Sequence, residues 1–71
     1  MNVEFLLKTL ALKCKNIICT DLSIVFEVGN VLHEAMYAHG HVYQEYILDD
    51  MTLNDYIVLC KTHHVHYQQI A

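Results

Sequence analysis

The residues with the clearest chemical potential lie near the C-terminus, in Cys60-Lys61-Thr62-His63-His64. A Cys-x2-His spacing lets a thiolate and an imidazole converge on one ion where a helix begins, ends or turns. Mixed sulfur and nitrogen sets of this kind favour zinc, which takes four ligands in tetrahedral geometry. Cys14 and Cys19 lie upstream with a Cys-x4-Cys spacing and could supply the other half of such a site. The same residues also have an ordinary reading. Cys14 falls on the apolar side of a helical pattern and Cys19 follows Ile17-Ile18, so both suit a core. His63, His64 and His66 suit a solvated helix tail.

Three elements have to position these groups. Residues 2–15 read as a helix: Asn2 is a fair N-cap, Glu4 suits the first turn, and Lys13 and Lys15 suit the last. Phe5, Leu6, Leu10 and Cys14 share one face, with Val3 and Leu7 beside them, and Leu12 widens the stripe towards burial on more than one side. Residues 52–64 read as a second helix, opened by a capping box of Thr52 and Asp55, with Leu53, Ile57 and Cys60 on its apolar face.

The middle, residues 22–37, admits two readings. The β-branched run around Ile24-Val25-Phe26, with Gly29-Asn30 where a two-residue turn needs positive φ, suits a β-hairpin. The polar stripe Ser23, Glu27, Asn30, Glu34 and Tyr37 suits one long helix. Further along, His39-Gly40-His41 reads as a polar loop, Val42–Leu48 as an amphipathic segment with aromatics suited to a partner, and Asp49-Asp50 as a solvated turn. Tyr37 and Tyr56 are expected at the core edge with hydroxyls in water.

Composition narrows the function classes. A chain of 71 residues fits a single domain, 1–71, with a marginal core. Its 55% hydrophobic content is hard to hide in so small a monomer, so a protein partner or a homo-oligomer, a dimer first, is expected. The net charge is −4, with four lysines and no arginine. That balance argues against direct nucleic-acid binding, which rests on cationic side chains displacing counterions. Three cysteines, no basic signal-like start and no long apolar run point to a reducing cytoplasm and no membrane span.

Two stretches resemble the HNH nuclease family, whose ββα-metal core is often braced by a zinc knuckle. Val31-Leu32-His33-Glu34-Ala35-Met36-Tyr37-Ala38-His39-Gly40 is similar to the family's second strand. Leu53-Asn54-Asp55-Tyr56-Ile57-Val58-Leu59-Cys60-Lys61-Thr62-His63-His64 looks like its helix. The resemblance spans residues 19–64 loosely. It implies His33 as general base, His64 as a ligand of the catalytic metal and Asp55 as the residue orienting the base. It implies Cys19, Cys60 and His63 as knuckle zinc ligands, with Cys14 standing in for the missing cysteine. Leu32 occupies the place of a further metal-binding residue and Leu22 that of a knuckle cysteine.

The expected fold is therefore α+β, an N-terminal helix, a β-hairpin and a C-terminal helix in a ββα-metal-like arrangement. The alternative is an all-α domain of three or four helices. The expected function is a small zinc-binding HNH-like module, catalytically degenerate, that binds within a nucleic-acid-handling assembly of phage-like type. Were it active, it would be a metal-dependent phosphodiesterase. The alternative is a metal-free, all-helical interaction module or inhibitor, homodimeric, whose acidic surface meets a basic partner.

Overall fold

A computed structural model of the chain describes residues 1–70. The chain runs α1 (Val3–Ala11), β1 (Ile17–Thr20), β2 (Ser23–Val28), β3 (Val31–Ala38), β4 (His41–Leu48), α2 (Leu53–Thr62) and β5 (Tyr67–Gln69). The five strands form one antiparallel sheet in the order β4-β3-β2-β1-β5. The two helices pack on opposite faces of it.

This corrects the expected fold. The hairpin over residues 22–37 forms as β2 and β3, which removes the all-α alternative. It is not the whole of the β structure, however. β1, β4 and β5 extend it to a five-stranded sheet, and the N-terminal helix covers the face away from the C-terminal one. A ββα unit describes the result only loosely.

The turns explain the order of the strands. Thr20 Oγ1 accepts from the backbone N–H groups of Leu22 and Ser23, at 3.2 and 3.1 Å, and so closes the β1–β2 corner. Gly29 takes the first position of the β2–β3 turn at φ +63°. His39 and Gly40, at φ +53° and +77°, form the two-residue turn between Ala38 and His41. Positive φ at both central residues matches the twist of the flanking strands. The His39-Gly40-His41 loop of the sequence is thus a hairpin turn.

The core has two layers. Towards α1, Leu10, Cys14, Ile17, Ile24, Phe26 and Ala35 are buried together, with Leu6, Leu7, Tyr37 and Val42 against them. Towards α2, Ile18, Val25, Leu32 and Leu53 are buried, flanked by Leu48, Tyr56 and Ile57. Neighbours in sequence go to opposite layers, as strand side chains must. Because β1 and β2 are central and covered on both sides, Ile17, Ile18, Ile24 and Val25 are wholly buried.

The helix ends follow their residues. Asn2 Oδ1 accepts from the N–H groups of Glu4 and Phe5, at 2.8 and 3.2 Å. α1 stops at Ala11 and not near residue 15; a turn carries the chain to Cys14, whose N–H reaches Leu10 O at 2.7 Å. Leu12 is 88% exposed and Phe5 64%, so α1 buries one side only, narrower than its stripe suggests. Thr52 and Asp55 form the expected capping box of α2.

Candidate functional site

The residues expected to hold zinc fall on two sides of the sheet. Cys14 is buried in the α1 layer, and Cys19 packs against that layer. Cys60 is buried on α2, and His63 is the exposed C-cap residue of that helix, both on the opposite face. With zinc–sulfur bonds of about 2.3 Å, four ligands must converge within a few ångströms. The sheet between these pairs prevents that, so the four do not fit one ion. Among the described residues no three His, Cys, Asp or Glu side chains are grouped as metal ligands would be.

The residues given roles by the HNH resemblance are also dispersed. His33 lies on the α1 side of β3, stacked on Phe26 with ring centroids 5.3 Å apart and planes 6° from parallel. Its Nδ1 is 3.2 Å from Glu45 Oε2. Asp55 sits at the first turn of α2, where its carboxylate caps the Thr52 N–H at 3.0 Å. His64 follows the far end of the same helix at φ +57°.

The backbone there ends the helix. Val65 N–H donates to Cys60 O at 2.8 Å and His64 N–H to Lys61 O at 3.3 Å. These two bonds form a Schellman motif, with His64 at the left-handed position that glycine usually takes. Cys60-Lys61-Thr62-His63-His64 is a helix C-terminus.

A different cluster joins α2 to the sheet. Ser23 Oγ and Tyr56 OH both donate to Glu34 Oε2, at 2.9 and 3.2 Å, and Thr20 Oγ1 lies 3.3 Å from Ser23 Oγ. The Tyr56 phenol is pushed up to about 12, chiefly by burial and further by the Glu34 carboxylate. Burial also raises the Cys60 thiol. A serine beside a carboxylate resembles an activated nucleophile, but Ser23 is 1% exposed and no substrate could reach it. The cluster fastens α2 to β2 and β3. On the other face the Tyr37 hydroxyl donates to Thr20 O. Both tyrosines are half-buried at the core edge, as expected, and both hydroxyls donate within the protein.

One exposed feature among the described residues is β4. It is the edge strand next to β3, and Tyr43, Gln44, Glu45, Tyr46 and Ile47 are all exposed. Charge is unevenly distributed along the sequence around it, although Lys13 and Lys15 line a depression with Glu27 and Gly29 at the β2–β3 turn. Every lysine, at positions 8, 13, 15 and 61, lies outside residues 16–60. Within that stretch lie Asp21, Glu27, Glu34, Glu45, Asp49, Asp50 and Asp55, which leaves only Glu4 elsewhere. Asp49 and Asp50 follow β4 directly and line a shallow depression with Val31, Leu48 and Thr52. Strands β1 to β4 thus carry no full-time cation. The sequence holds this signal in plain view, but it shows only when charge is mapped segment by segment.

No helix among the described residues is long and apolar enough to cross a membrane. No family model, curated protein or solved structure matches the chain.

Proposed function

We propose that this chain is a protein-interaction module whose acidic, lysine-free sheet receives a basic partner. The observation that carries this reading is the segregation of charge: all four lysines lie outside residues 16–60, and seven of the eight carboxylates lie within. An excess of one sign steers an oppositely charged partner and repels others of its own sign. Exposed Tyr43, Tyr46 and Ile47 on the same edge add aromatic and apolar contact area of the kind interfaces use.

The reading keeps the acidic-surface part of the second sequence expectation and discards its helical scaffold. The zinc-dependent reading receives no geometric support, because its ligands stand on opposite faces.

The test is fluorescence anisotropy with labelled octalysine and, as control, octaglutamate, at low and high salt. The protein should bind octalysine at low salt, lose it as salt rises, and ignore octaglutamate. Absence of octalysine binding, or equal binding of both peptides, contradicts the proposal.

A further inference from the structure

We infer that the partner docks as an extended basic strand on the open edge of β4, between the N-terminal residues and the Asp49-Asp50 turn. The inference rests on the acidic-module reading and names how that surface is used.

The direction of the backbone groups follows from the hydrogen bonds between β2 and β3. Tyr37 N–H donates to Leu22 O, on the β2 side of β3. In an antiparallel ladder the N–H and C=O of one residue point to the same neighbour, and successive residues alternate. Leu32, Glu34 and Met36 therefore face β4, where their partners are Leu48, Tyr46 and Gln44. The residues between those partners, Glu45 and Ile47, direct their N–H and C=O groups away from the sheet.

The start of the same edge is already taken. Met1 O accepts from Val42 N–H at 2.7 Å, and Val3 N–H donates to Gly40 O at 2.9 Å. Asn2 bridges His41 between them. This short pairing shows that the outer side of β4 accepts an added strand. It ends at the irregularity between Met36 and Tyr37, which leaves Tyr43 as an extra residue on β4. Beyond it, no hydrogen-bond partner of the Glu45 and Ile47 backbones is found on the outer side among the described residues.

Proteins commonly protect such an edge with charge, a bulge or a covering segment. Here the strand carries only acidic full charges, with His33 against Glu45 and with Lys13 and Lys15 by the β2–β3 turn. Glu45 is on the edge itself, Asp49 and Asp50 lie at its end, and no lysine lies between residues 16 and 60. In a two-fold antiparallel pairing of β4 with a second copy centred on Glu45, the two Glu45 carboxylates would oppose each other. A segment alternating lysine or arginine with apolar residues avoids that repulsion. Its cations would lie beside Glu45 on one face, and its apolar side chains beside Tyr46 on the other. Main-chain bonds would supply affinity and the alternating side chains specificity.

The probe is the blocked hexapeptide (Lys-Val)3, followed by amide-resolved NMR on the isotope-labelled full chain. The Glu45 and Ile47 amides should shift and gain exchange protection. Two peptides N-methylated at alternate nitrogens give a test independent of protein folding. The one whose methyls meet β4 should bind about tenfold more weakly than the other. Ile47→Pro, which removes an outward N–H at an edge position that tolerates proline, should weaken (Lys-Val)3 to a similar extent. If (Lys-Val)3 binds but both methylated peptides match it, strand addition is overturned and the acidic-module reading stands. If neither (Lys-Val)3 nor octalysine binds, the reading itself fails. If the free protein sediments as a dimer with Glu45 and Ile47 already protected, a second copy covers the edge and the basic-strand occupant is overturned.

Discussion

Tyr56 OH and Ser23 Oγ donate to the same oxygen of Glu34, one from α2 and the other from β2. A half-buried carboxylate with two donors is a strong link, because hydrogen bonds to a charged group exceed neutral ones. It ties together elements more than twenty residues apart in sequence. Tyr56→Phe removes one donor without changing shape and should cost about 1–3 kcal/mol in chemical denaturation. A cost indistinguishable from zero would mean the hydroxyl is satisfied by water instead.

The same tyrosine sets an alkaline limit. Its phenol titrates at about 12 in the folded chain and 10.0 when free. Below pH 10 it is protonated in both states and has no effect on pH dependence. Between pH 10 and 12 the unfolded chain loses the proton first, so stability falls as pH rises. The raised Cys60 thiol adds a decline beginning near its ordinary value of 9.0. Denaturation midpoints across pH 8–12 should therefore slope downward, and Tyr56→Phe should lessen the part above 10, leaving the share of Tyr37, whose phenol is also raised by burial.

The end of α2 yields a prediction of opposite sign. His64 occupies a left-handed conformation at φ +57°, which costs a side-chain-bearing residue about 1–2 kcal/mol. His64→Gly should relieve that strain and raise stability by a net of about 0.5–1 kcal/mol, read as a higher melting temperature. A lower melting temperature would show that the imidazole makes a contact worth more than the strain.

Zinc enters here as a prediction about removal. Cys14 and Cys19 share the α1 face, while Cys60 and His63 stand on α2. A strong chelator should leave the melting temperature and the circular dichroism unchanged. Unfolding on chelation would mean that metal holds the chain by ligands other than this set.

How far the sequence revealed the fold depended on length and context. Both helix N-termini were readable because Asn2, Thr52 and Asp55 act on neighbours two or three residues away. The β2–β3 hairpin was one of two open readings, favoured by Gly29 and the β-branched run. β1 has no signature of its own in the sequence because Ile17-Ile18-Cys19-Thr20 is only four residues long, and both its faces are covered, so no alternation marks it. β4 read as an amphipathic stretch of undecided type. Its strand identity comes from pairing with β3 and from the turn at His39-Gly40. The metal set misled for a related reason. Spacing along the chain says nothing of which face of a sheet a residue meets, and only the covering helices decide that. The charge segregation that carries the proposed function was legible throughout, since it needs no structure to count.

The most direct test of that function is a pair of charge changes matched in size. Glu45→Lys and the double change Gln68→Lys with Gln69→Lys alter net charge equally, but Glu45 lies on the open edge of β4 and the two glutamines are exposed on β5, at the opposite edge of the sheet. Octalysine affinity should fall roughly fivefold or more in Glu45→Lys and stay within about twofold in the β5 variant. Equal loss in both would mean that overall charge alone attracts the peptide, and would contradict a basic partner received on this sheet.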